Sequence, residues 1–117
     1  MNVSVVTDSL RMRAGKDSPV QEAERVWKKF SETRQEPVKM ATALWGYFLK
    51  EGISPQQRQE LEAYLKPRVR NAVEALIEED EPEKIAVLEQ DGWFGEKELD
   101  EFIRTARERQ KIQALVY

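Results

Sequence analysis

The chain has 117 residues, 35% charged and 40% hydrophobic, with 19 Lys and Arg against 22 Asp and Glu and a formal net charge of −3. It contains neither Cys nor His. The length fits one domain with one modest core. The two zeros exclude disulfide scaffolds, thiolate and imidazole metal sites, cysteine nucleophiles and Ser-His-Asp catalysis.

Residues 1–17 read as an extended N-terminal arm. Val3-Ser-Val-Val6 has strand-like composition but is too short to found a sheet and has no partner strand. Arg11, Arg13 and Lys16 give the arm a basic tip. A single helical domain is expected from 18 to 117. Its first helix opens at Ser18-Pro19-Val20-Gln21, where Ser18 can cap, Pro19 takes the first helical position and Gln21 completes a capping box. Val20, Ala23, Val26, Trp27 and Phe30 then form one apolar stripe. Glu36-Pro37 stops it, because a residue before proline avoids the α region.

The second helix should run from Pro37 to about Lys50 and close at Gly52. It is apolar around most of its circumference, which marks it as the most buried one. Ser54-Pro55-Gln56-Gln57 repeats the cap, proline and box of Ser18–Gln21 and opens a third helix. Pro67 breaks it. A fourth follows with Val69, Ala72, Val73, Leu76 and Ile77 inward, ending in Glu78-Glu-Asp-Glu-Pro-Glu83. A fifth holds Ile85, Val87 and Leu88 and ends at Gly92. The sixth opens near Glu96, with acidic residues in its first turn and Arg104, Arg107 and Arg109 toward its end, as the helix dipole favours. A last apolar segment holds Ile112, Leu115 and Val116.

The fold expected is therefore all-α: an irregular bundle of six to seven short helices. The longest uncharged apolar stretch, Met40–Leu49, is far short of the about 20 residues that span a bilayer. The N-terminus has no basic lead before an apolar run, so it does not read as a secretory signal. A cytoplasmic protein with no membrane partner is expected.

Two stretches overlay. Val69, Ala72, Val73 and Leu76 have the same spacing as Leu99, Phe102, Ile103 and Ala106. Each is followed by a polar turn and an apolar segment, Ile85–Leu88 and Ile112–Leu115, with starts about 30 residues apart. Residues 69–117 thus resemble the ankyrin pattern of two short antiparallel helices plus a loop. They depart from it in lacking the Thr-Pro-Leu-His-type tetrapeptide. The resemblance implies stacked helix pairs and protein binding, not catalysis. No family binding residue carries over, because the matching positions are core ones.

Few residues carry chemistry. Glu78–Glu83 has no glycine-enabled turn and reads as a solvated interhelical turn, not a calcium loop. The five glycines form no phosphate-cradling pattern. No carboxylate pair stands isolated within an apolar run, as acid-base work would need. No catalytic residue, metal or cofactor is expected. Trp93-Phe94 lies in a loop, where exposed aromatics can anchor a partner, and Arg104, Arg107 and Lys111 share one helix face.

The function expected is a non-enzymatic protein-protein interaction module or small adaptor, with Trp93, Phe94, Arg104, Arg107 and Lys111 as partner contacts. Another protein is the expected partner, and a homo-oligomer stays open. Two alternatives remain. One is a nucleic-acid-binding regulator with a helix-turn-helix in the third and fourth helices and Arg58, Lys66, Arg68 and Arg70 on phosphates, which the net acidity disfavours. The other is a small acidic inhibitor that mimics nucleic acid. The −3 conceals a polarised chain: residues 1–50 hold nine Lys and Arg against six Asp and Glu, and residues 51–117 ten against sixteen.

Overall fold

The computed structural model describes residues 2–108. Among them are seven α-helices and no strand: α1 (Val3–Ala14), α2 (Pro19–Glu32), α3 (Glu36–Tyr47), α4 (Pro55–Leu65), α5 (Val69–Glu78), α6 (Pro82–Gln90) and α7 (Glu96–Glu108). The bundle is all-α, as its composition of strong helix formers dictates. A 3₁₀ turn, Lys66–Arg68, marks the break at Pro67. The chain divides into two compact units, residues 1–67 and 68–117, where a single domain over 18–117 is expected from sequence.

In the first unit α3 is central, touching α1, α2 and α4. Val38, Met40, Ala41, Ala43, Leu44 and Tyr47 are all buried, together with Thr42. Thr42 is tolerated there because its hydroxyl donates back to the Val38 carbonyl at 2.8 Å. Both serine caps form as the sequence predicts, with the full reciprocal boxes Ser18–Gln21 and Ser54–Gln57. Gly46 lets α4 approach closely: a Cβ there would stand 3.1 Å from Leu61 Cδ1.

Two expectations are corrected here. Residues 3–14 are not an extended arm. Asn2 caps a helix by accepting from the Val5 amide at 3.0 Å, and Val6 and Leu10 are buried with Val26, Val38 and Ala41, with Val3 and Trp45 packed against them. Burial of an apolar face outweighs the weak helix propensity of valine. Nor does α3 run to Lys50 and close at Gly52. It ends at Tyr47, and Arg58 of α4 donates to the Tyr47 and Leu49 carbonyls at 2.6 and 3.0 Å. A side chain from a neighbouring helix thus satisfies carbonyls that the helix end leaves bare. Gly52 is needed for another reason. Its φ is +87°, and a Cβ there would lie 2.5 Å from the Ala23 Cβ.

In the second unit α5 contacts α6 and α7. Among its described residues, Ala72, Val73, Leu76, Ile77, Ile85, Leu88, Phe94, Phe102 and Ala106 are apolar and buried. The overlaid stretches are both helical, as α5 and α7. The apolar segment from Ile112, needed for a second helix pair, lies outside the described residues.

Candidate interaction surfaces

The residues singled out from sequence fall at the end of α6 and along α7. Gly92 adopts φ +80°. Its amide donates to the Glu89 carbonyl, and the Trp93 amide donates to that of Leu88, each at 3.0 Å. These two bonds form a Schellman turn, with glycine at the left-handed position. Phe94 is 8% exposed and meets Phe102 edge to face at 5.1 Å. It is a core side chain fastening the turn to α7, so it is removed from the partner-contact set. Trp93 is half-buried and retains accessible surface.

Gly95 then starts α7. Its amide donates to the Glu98 carboxylate at 3.1 Å, half of a capping box. Arg104 and Arg107, three residues apart, are both exposed. An exposed Arg70–Glu101 ion pair at 2.8 Å neutralises part of the neighbouring charge. Lys111 and Arg109 lie outside the described residues.

A second surface, absent from the sequence reading, lies within the first unit. A groove of about 540 Å³ runs between α1 and the α2–α3 corner. Val5, Val6, Leu10 and Val38 supply apolar lining, and Arg13, Arg25 and Lys29 supply three cations. A shallower hollow of about 390 Å³ shares Arg25, Lys29 and Thr33 and adds Lys28 and Glu32. Arg25 is held by Asp17, which accepts from its Nε at 2.8 Å. Its Nη2 is buried and has no acceptor. Neither Arg13 nor Lys29 is held in an ion pair among the described residues. Val5, within the lining, is 53% exposed, and Met12, also on α1, is 76% exposed.

The groove escaped sequence reading because one of its walls is α1. Read as an arm, residues 3–14 leave Arg13 as a loose basic residue and Lys29 on a solvated helix face. The signal was present in the three- and four-residue spacing of Val3, Val6 and Leu10. The strand-like composition of the same residues masked it.

The helix-turn-helix alternative loses one of its contacts. Arg58 is committed to the end of α3 through both terminal guanidinium nitrogens and also lies over the Tyr47 ring at 5.4 Å. Lys66 is 3.8 Å from Glu62, and Arg70 is paired with Glu101. The acidic run is structural. It contains the end of α5, where Asp80 sits at φ +52°, its amide donating to Ile77 and that of Glu81 to Leu76, each at 3.0 Å. No group of three carboxylates among the described residues is placed to hold a metal ion. No helix among them is long and apolar enough to cross a membrane.

Comparison with protein-family models, with curated proteins and with solved structures returned no match for this chain.

Proposed function

We propose that the protein is a non-enzymatic protein-protein interaction module that docks a partner along the α1 groove. One observation carries this reading. An apolar-lined groove is edged by three cations, and on the same helix, α1, Val5 of its lining and Met12 are exposed. Accessible apolar surface rimmed by charge is a usual mark of a docking site. An occupant that covers the groove and reaches Met12 is a chain segment rather than a small molecule. Trp93, Arg104 and Arg107 form a second, smaller contact in this proposal, which would suit an adaptor.

Site-specific photo-crosslinking in the native cell tests it. A benzophenone amino acid at Met12 should give one discrete protein adduct, and the same probe at exposed Gln59 of α4 should not. Joint Arg13→Glu and Lys29→Glu substitution should remove the adduct while leaving helicity unchanged. No adduct at Met12, or one that survives both charge reversals, overturns the proposal. For the nucleic-acid alternative, a gel shift at low salt is expected to show no complex, since Arg58 already serves α3.

A further inference from the structure

The cations of the groove define what the partner must bring. Three positive side chains line one concavity, and only Arg25 has a carboxylate partner, Asp17, which engages Nε alone. The Arg25 Nη2 is out of reach of solvent and donates to nothing. Arg13 and Lys29 add unneutralised charge along the same groove. An anionic oxygen entering there would accept from the exposed Arg13 guanidinium or Lys29 ammonium and offset the repulsion among the three cations. Charge-assisted bonds of this kind are roughly twice as strong as neutral ones. Glu32, the one acidic residue lining the adjoining hollow, lies on the α2 surface and is exposed.

The rest of the lining sets the body that carries the anion. Val5, Val6, Leu10 and Val38 offer no hydrogen-bonding side chain, and Ser9, Thr33 and Gln35 are the only uncharged polar residues there. Thr33 already accepts from the Gln35 amide at 3.2 Å. Resting on the docking role proposed above, we infer that the groove recognises a partner segment bearing one acidic side chain among apolar ones, its carboxylate seated between Arg13 and Lys29. The first unit carries eleven Lys and Arg against nine Asp and Glu, so its charge also favours an acidic partner.

Two blocked pentapeptides test this, each with four leucines around a central Glu or a central Gln. Each is titrated into the full-length chain and followed by amide and arginine side-chain NMR signals. The Glu peptide should shift Thr33, Gln35, Val38 and the Arg25 guanidinium, and bind about tenfold more tightly than the Gln peptide. That advantage should disappear in the joint Arg13→Gln and Lys29→Gln variant, which leaves the Arg25–Asp17 pair intact. Equal affinity for the two peptides overturns carboxylate recognition, while a Met12 adduct would still support docking. Shifts confined to residues outside the groove, or none with either peptide, overturn the inference, and the crosslinking result then judges the docking role by itself.

Discussion

The two units reach the same secondary structure by different means. The first is built around one buried helix, α3, and ties its members together across long stretches of chain. Trp45 donates to Glu22 at 3.0 Å, 23 residues away, and Tyr64 to Glu36 at 2.7 Å, 28 residues away. Lys39 donates to the Phe30 carbonyl at 3.0 Å and stands 4.2 Å from that ring's centre. The second unit fixes its path by local turns, with two left-handed helix ends, at Asp80 and Gly92, and a phenylalanine pair. Charge follows the same division. Residues 1–67 carry eleven basic and nine acidic side chains, and residues 68–117 eight and thirteen. The polarity visible in sequence is thus a contrast between a net +2 unit and a net −5 unit, and the candidate groove belongs to the basic one.

If distant packing holds the first unit and local turns the second, core and glycine substitutions should separate them. The largest effect is expected for Leu61→Ala. Leu61 is fully buried and lies against the face of α3 that Gly46 leaves open. Loss of its side chain should cost roughly 3–5 kcal/mol in chemical denaturation, because α3 and α4 can close the cavity only by losing the register that Gly46 sets. A loss under about 1 kcal/mol would mean the site collapses freely and α3 is no tight centre.

Gly52→Ala comes next. The added methyl meets both a left-handed backbone and the Ala23 Cβ at 2.5 Å. The backbone term is about 1–2 kcal/mol and the overpacking about 1–3. Gly92→Ala in the second unit has the same backbone sign, φ +80°, but nothing within 4 Å of the new methyl. Only the backbone term remains, about 1 kcal/mol. The two alanine variants therefore compare a glycine required by a distant contact with one required by its turn alone. Equal midpoint shifts in urea would erase that distinction.

The same contrast explains what could be read from the sequence. The capped starts of α2 and α4, the Pro67 break and the Gly92 stop depend on residues within a few positions of one another, and all four form as expected. The end of α3 depends on Arg58, eleven residues beyond Tyr47, and no local rule points to it. Helix α1 depends on a surface offered by Val26, Val38 and Ala41. Of the candidate contacts, Phe94 is buried through its edge-to-face contact with Phe102 of α7, which tertiary packing sets. The groove needed α1 in place before any of its cations could be seen together.

The smallest predicted effect has the opposite sign. Asp80 occupies at the end of α5 the position that Gly92 occupies at the end of α6, with the same pair of amide bonds behind it. Asp80 carries a Cβ into φ +52°, and its Oδ1 is buried without a donor. Asp80→Gly removes both costs, so it should raise stability by about 0.5–1 kcal/mol, after allowing for the extra freedom glycine gives the unfolded chain. Asp80→Ala removes the carboxylate but keeps the strained backbone, and should gain less than glycine. Denaturation midpoints rank the three chains. If alanine matched glycine, the orphaned carboxylate rather than the backbone would set the cost. If neither gained, the local turn would already be relaxed, and the second unit would owe its path to packing as the first one does.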